Sequence, residues 1–149
     1  METIFTDEKD ERFLKLVEEL DCGYYERIGD ELEKYKEYNE FNKPHFVILL
    51  LDSRNPIACA SYRVCENDSV EFKRVYVKKD YRKKGIVYNL IMKLENKAID
   101  ENFKYSYIVT GKNNFAAINL YKKLNYEQIP KFGQFKDDET VICMKKTFR

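Results

Sequence analysis

The sequence has no tryptophan, a single histidine and, among 149 residues, only three prolines and five glycines. So few chain breakers leave no stretch that reads as a flexible linker. Repeats and low-complexity tracts are absent too, so one domain over residues 1–149 is expected. The four cysteines, Cys22, Cys59, Cys65 and Cys143, form no C-x-x-C pair. That spacing gives no metal site, and no paired base is visible to activate a thiol. They read as reduced, small hydrophobes, which suits a cytoplasm. Long apolar runs are missing as well. The longest, Phe46-Val-Ile-Leu-Leu-Leu51, is too short to span a bilayer and reads as a buried strand. Met1 to Asp10 is acidic and lacks an apolar core, so it is not expected to be a signal peptide. Neither sign of charge is in excess, with 27 Lys and Arg against 26 Asp and Glu. Bulk charge therefore gives no argument for a nucleic-acid partner, a membrane surface or an acidic partner, and neither nucleic acid nor membrane is expected.

What is present is a clear alternation of patterns. Met1–Phe5 reads as a short edge strand, and Thr6 or Asp7 as the cap of a following helix. Phe13, Leu16, Val17 and Leu20 then fall on one helical face, which Cys22-Gly23 should end. A weaker helix is expected from about Gly29 to Phe41, closed by Pro44. His45–Asp52, Ile57–Cys65 and Val70–Val77 read as strands of an antiparallel meander. Ser53–Pro56 and Glu66–Ser69 supply the turns. His45 begins a strand, and a structural role is expected for it.

The second half changes rhythm. Val87, Leu90, Ile91, Leu94 and Ala98 mark a helix; Lys104–Thr110 reads as a strand. Asn114–Leu124 reads as another helix, with Ala117, Leu120, Tyr121 and Leu124 inward, and Tyr126–Pro130 and Thr140–Lys146 as final strands. This order predicts a mixed α/β fold with a partly parallel sheet. The third meander strand is irregular. Val70 and Phe72 are apolar at even positions, Val75 and Val77 at odd ones. One extra residue near Lys73-Arg74, a β-bulge, would restore a single inward face.

Between that strand and the next helix lies Lys78-Lys-Asp-Tyr-Arg-Lys-Lys-Gly85. The start of a helix carries unpaired N–H groups and the positive end of a dipole, so it attracts anions. Gly85 lets the backbone come close to a ligand. Lysines and arginines surround it. These features suit a pyrophosphate, although a charged turn before a helix is also what solvated turns look like. The pattern is neither a P-loop nor a three-glycine dinucleotide fingerprint.

Two stretches carry a family resemblance. Val75-Tyr-Val77 followed by Arg82-x-x-Gly85-Ile86 resembles the acyl-coenzyme A motif R/Q-x-x-G-x-G/A of the GNAT N-acetyltransferase superfamily. Asn114-x-x-Ala117-x-x-Leu120-Tyr121-x-x-Leu124-Asn125-Tyr126 resembles its second motif, N-x-x-A-x-x-L-Y-x-x-x-G-F/Y. Both occur in order on the expected elements, and the resemblance runs from about Pro56 to the C-terminus. The ending, Ile129–Gly133 and Val141–Met144, looks like a bacterial branch of the superfamily.

The resemblance implies a GNAT-like acyl-CoA N-acyltransferase fold: a central, mostly antiparallel sheet with one parallel, splayed strand pair and flanking helices. It implies acetyl-CoA as cosubstrate, no metal, and transfer of an acetyl group to a primary amine of a small molecule or peptide. The backbone of Arg82, Lys83, Lys84, Gly85, Ile86 and Val87 would hold the pyrophosphate. Tyr76 and Val77 would pair with the pantetheine arm, near Asn114 and Ala117. Tyr121 would protonate the departing thiolate. Glu71, eleven residues before Arg82, would stand where some members keep a general base. A glutamate paired with a lysine on a strand is the structural alternative. Tyr24, Tyr25 and Arg27 would wall the acceptor site. A homodimer stays open. Two departures stand out. Val87 replaces a Gly or Ala, and its branched side chain threatens to crowd the ligand or the contact between helix and strand; Asn125 replaces a Gly. Two other readings are weighed: a non-catalytic acyl-CoA-binding module, and a nucleic-acid-binding domain using the basic run Lys73–Lys84.

Overall fold

The computed structural model describes residues 1–28 and 44–148, with the side chains of residues 23–28 left out of the description. Strand β1 (Glu2–Asp7) leads into helix α1 (Glu11–Ile28). Strands β2 (His45–Asp52), β3 (Asn55–Cys65) and β4 (Ser69–Val77) follow, then a 3-10 turn at Lys79–Tyr81 and helix α2 (Ile86–Asp100). Strand β5 (Tyr105–Gly111), helix α3 (Phe115–Lys123), strand β6 (Glu127–Ile129) and strand β7 (Val141–Thr147) complete the order. The strands form one sheet in the order β1-β2-β3-β4-β5-β7-β6. Neighbours run antiparallel except β4 and β5, which are parallel.

Two tight hairpins make the meander. Ser53 and Arg54 both take positive φ, and Asp52 pairs directly with Asn55, so the first turn is two residues and not the four expected. Asn67 and Asp68, types that tolerate left-handed dihedrals, form the second. The bulge is where the parity of the strand placed it. Cys59 pairs with Tyr76 and Ser61 with Lys73, so Arg74 and Val75 together face the single position of Ala60. Arg74 absorbs the extra residue at φ 57°. As a result Val70, Phe72, Val75 and Val77 all pack into the cluster that also holds Leu90, Ile91, Leu94 and Ala98 of α2. Tyr76 turns to the other face, against Phe13, Leu16 and Val17 of α1.

Helix α1 departs from its sequence reading at both ends. Thr6 and Asp7 belong to β1. The cap is Asp10, whose carboxylate accepts from the Arg12 backbone N–H at 2.9 Å and from the Arg12 guanidinium at 2.7 Å. The helix also runs through Cys22-Gly23 to Ile28. One glycine costs only about 1 kcal/mol in a helix interior, which the continuing turn absorbs. The expected helix at Gly29–Phe41 lies outside the described residues.

The Arg12 guanidinium holds the Asp10 carboxyl down at about 2, with the backbone N–H and the Thr6 hydroxyl adding to the effect. A depressed carboxyl stabilises the fold above its unfolded value and stops doing so as pH falls through its folded value. Asp10→Ala is therefore expected to cost about 1 kcal/mol at neutral pH, a cap-sized loss discounted for the exposed Arg12. Denaturant titrations of both proteins should converge as pH falls from about 4 towards 2. A gap that stayed constant to pH 2 would assign the loss to packing.

Candidate active site

The site begins where the parallel pair parts. The ladder between β4 and β5 runs from Ser69 and Tyr105 to Phe72 and Ile108. Beyond it β4 continues to Val77 with the bulge at Arg74 and Val75, and β5 continues to Gly111 paired with β7. The bulge twists β4 away from β5 and opens a wedge between them. Main-chain groups along a strand that has lost its neighbour must find other partners, so this wedge suits an extended polar ligand.

At the wide end of the wedge, β4 hands over to α2. Tyr81 donates its hydroxyl to Asp52 at 2.7 Å and ties the connecting loop to the first hairpin. Lys83 and Gly85 both take left-handed φ, 64° and 75°. Gly85 is the N-cap of α2 and has no side chain to cap it. A Cβ at Gly85 would meet nothing within 4 Å, so packing inside the protein does not require the glycine. The space it leaves faces outward, in a run of exposed residues from Arg82 to Gly85. Asn89 N–H is the first to bond back to Gly85, so the earlier amides of α2 have no partner within the helix. A left-handed turn, a bare helix start and adjacent cations together form an anion cradle.

Two details differ from the sequence expectation. The Arg82 N–H already donates to Lys79 in the 3-10 turn, so that amide belongs to the turn and not to the cradle. The Arg82 side chain also donates its Nε to the Val77 carbonyl at 3.0 Å, so that carbonyl has a partner in place. Val87 is half-buried. It packs against the core cluster between α2 and the sheet.

The second motif builds the opposite wall. Asn114 is the N-cap of α3, its Oδ1 accepting from Ala117 N–H at 3.3 Å. Capping uses the oxygen and leaves the amide N–H2 as the group a ligand carbonyl would meet. Helix α3 ends in a Schellman motif. Asn125 takes φ 73°, its N–H donates to Lys122, and the Tyr126 N–H donates to Tyr121 at 2.9 Å. Asparagine thus fills the left-handed position usually held by glycine. Tyr121 is buried, with its ring edge-on to Tyr126 at 6.0 Å.

Glu71 sits at the closed end of the wedge, on the sheet face opposite Phe72. It is 3% exposed. Arg63 donates to its Oε1 through both Nε, at 3.0 Å, and a terminal nitrogen, at 2.7 Å. The Lys73 Nζ lies 3.9 Å from Oε2. Burial lowers the Lys73 ammonium against the pull of Glu71. The cation partner that the structural reading expected is therefore present, and Arg63 joins it. Tyr24, Tyr25 and Arg27 fall on the last turns of α1, but their side chains lie outside the described residues. His45 is buried at the start of β2, its backbone N–H bonded to Glu8 at 3.2 Å. No group of metal-ligating side chains is found among the described residues. All four cysteines are free thiols.

Sequence reading missed a buried polar network beneath Tyr121. Ser106 on β5 and the Tyr126 hydroxyl lie 2.5 Å apart. Tyr126 donates to Glu95 of α2 at 2.9 Å, and Lys146 of β7 donates to the other Glu95 oxygen at 2.9 Å. A signal was there: Glu95 follows Ile91 by four residues and precedes Ala98 by three, so it interrupts the apolar stripe of α2.

A parallel pair parted by a bulge, feeding an anion cradle at a helix start, defines the acyl-coenzyme A N-acyltransferase class of fold. The chain belongs to the acetyltransferase (GNAT) family, whose family model matches residues 13–126. Several solved structures share the fold. One is a Klebsiella pneumoniae protein assigned as an acyl-CoA N-acyltransferase, 23% identical, with a TM-score of 0.78 over 97% of both chains. Another is the PaiA N-acetyltransferase of Thermoplasma acidophilum, crystallised with coenzyme A, at 15% identity and TM-score 0.76 over 99% of this chain and 100% of that one. An aminoglycoside 6'-N-acetyltransferase complexed with coenzyme A matches at 17% identity and TM-score 0.73, over 99% and 97%. Among the described residues, no helix is long and apolar enough to cross a membrane.

Proposed function

We propose that residues 1–149 form one acyltransferase domain that moves an acetyl group from acetyl-CoA to a primary amine by direct transfer. The observation that carries this reading is the wedge between β4 and β5 opening onto the left-handed Gly85 and the bare start of α2. The described residues fit the cosubstrate. The amides of Ile86 and Val87, with Lys83, Lys84 and Gly85, offer donors and charge to a diphosphate. The parted edge of β4 at Tyr76 and Val77 offers main-chain pairing to the pantetheine amides, with the Val77 carbonyl available once the Arg82 side chain releases it. Asn114 and Ala117 flank that arm from α3.

The chemistry needs three services. The acceptor amine, normally an ammonium, must lose a proton, and Glu71 or a water beside it takes that proton. Main-chain N–H groups near the bulge stabilise the oxyanion as the amine attacks the thioester carbonyl. Tyr121 then protonates the departing thiolate. Tyr24, Tyr25 and Arg27 are proposed to wall the acceptor.

Glu71→Gln keeps the shape of the side chain and removes the base. Turnover at saturating acetyl-CoA is expected to fall about 10- to 100-fold, with the acidic limb of the pH–rate profile displaced. A superimposable profile would assign Glu71 to its pairing with Arg63 and Lys73.

The reading itself is tested with a panel of amines, amino acids, peptides and aminoglycosides mixed with acetyl-CoA, followed by free-thiol release. Amine-dependent release with a product 42 Da heavier (the mass of a ketene unit, from the formula of acetylation) supports it. Coenzyme binding without turnover on any amine would favour a regulatory acyl-CoA-binding module instead.

A further inference from the structure

We infer that Tyr126 is a positioning residue, and that the buried network around its hydroxyl sets where the Tyr121 ring stands. The inference rests on Tyr121 being the proton donor proposed above. Tyr126 touches Tyr121 twice. Its backbone N–H closes the Schellman motif on the Tyr121 carbonyl at 2.9 Å, and its ring meets the Tyr121 ring edge-on at 6.0 Å and 61°. The position of the Tyr121 ring therefore follows that of Tyr126.

Tyr126 is in turn held by three separate elements. It is 3% exposed, and so are its partners or nearly so: Ser106 at 0% and Glu95 at 4%. One phenolic proton can go to only one acceptor. It goes to Glu95 Oε2 at 2.9 Å, so the Ser106 hydroxyl must donate to Tyr126 across their 2.5 Å contact. Lys146 satisfies the other Glu95 oxygen and leans on the Tyr126 ring, with its Nζ 5.8 Å from the centroid. Burial, reinforced by the Glu95 charge, raises the Tyr126 phenol, which keeps it a hydrogen-bond donor across the working pH range.

The geometry gives this node a purpose beyond stability. Glu95 rides on α2, whose first turn is the proposed diphosphate cradle, and Ser106 rides on β5, one wall of the wedge. Tyr121 rides on α3. One hydroxyl thus fixes the proton donor relative to both the cradle and the wall. Satisfied buried networks specify a single arrangement, and partly satisfied ones lose it. Misplacing a catalytic group by a fraction of an ångström lowers turnover without weakening ligand contacts made elsewhere.

The test is a double-mutant cycle on Tyr126→Phe and Tyr121→Phe, with kcat and KM measured on acetyl-CoA and one accepted amine. Tyr126→Phe keeps the ring contact and removes the hydroxyl. It is expected to lower kcat about 3- to 10-fold, to leave KM for acetyl-CoA within about twofold, and to have no further effect once Tyr121 is Phe. Glu95→Gln, which keeps shape and an acceptor but loses the charge, should show the same non-additivity with a smaller loss. An equal loss in both backgrounds, or no loss in the parent, would overturn the inference and leave the network as core structure. Full activity of Tyr121→Phe alone is a separate result: it would remove the proton donor from the proposed function, and this inference with it.

Discussion

Gly85→Asp is expected to weaken coenzyme A binding by about two orders of magnitude or more while leaving the free protein folded. The two halves of that statement have different causes. Aspartate tolerates left-handed dihedrals better than most residues, so the φ of 75° costs it about 1 kcal/mol, the low end of the usual penalty. It is also a favoured N-cap whose charge complements the helix dipole, which offsets that cost. No heavy atom lies within 4 Å of the new Cβ, so the core is undisturbed. Ligand binding has no such compensation. The carboxylate would stand in the space left for the diphosphate, repel it and occupy the amides of the first turn. Gly85→Ala separates space from charge and should lie between the parent and Asp. Calorimetric titration of coenzyme A, with thermal melts of the free proteins, reads both halves. Unchanged affinity in Gly85→Asp would place the diphosphate elsewhere.

The second large effect concerns Tyr121. Tyr121→Phe keeps the ring against Tyr126 and in the core cluster, so the protein should remain folded. Turnover is expected to fall about 10- to 1000-fold, the span of a general acid's contribution, with coenzyme A affinity within about twofold of the parent. A fall in kcat and kcat/KM together, without a rise in Kd, identifies an interaction made in the transition state and not in the ground state. Equal turnover in the two proteins would remove the phenol from the chemistry.

Much of this arrangement was legible in the residues, and the reasons differ from place to place. The bulge could be read because an apolar face cannot switch sides along a strand without an inserted residue, and the Val70, Phe72, Val75, Val77 pattern records that switch. The meander was legible for a similar reason: alternation and short polar turns are local. The cradle was visible only as a glycine among cations. Its left-handed geometry at both Lys83 and Gly85 depends on how the 3-10 turn and the Tyr81–Asp52 bond aim the loop.

Other features depend on long-range packing. Residue type alone favours Thr6 or Asp7 as the cap of α1, yet pairing with β2 draws both into β1 and leaves Asp10 to cap. Cys22-Gly23 looked like a helix end, but a helix continues where its next turn can be held. Arg63 gave no signal as a site residue. Only the register between β3 and β4 sets it opposite Glu71. Of the two roles that the sequence leaves open for Val87, its packing against the core cluster matches the contact between α2 and the sheet. The Ser106–Tyr126–Glu95–Lys146 network joins β5, α2 and β7 through the turn after α3, and of its members only Glu95 breaks a periodic pattern.

The proposed acyl carrier is expected to be held through its diphosphate at the left-handed turn of Lys83 and Gly85 and the bare start of α2. Calorimetry of the unmodified protein with coenzyme A, with pantetheine and with 3',5'-ADP tests that, because pantetheine carries the arm alone and 3',5'-ADP carries the phosphorylated adenosine without the arm or the full diphosphate linkage. Coenzyme A should bind at one site, with pantetheine about 100-fold weaker or undetectable and 3',5'-ADP also weaker than coenzyme A. Affinity for pantetheine or 3',5'-ADP equal to that for coenzyme A, or no binding of coenzyme A at millimolar concentration, would contradict it.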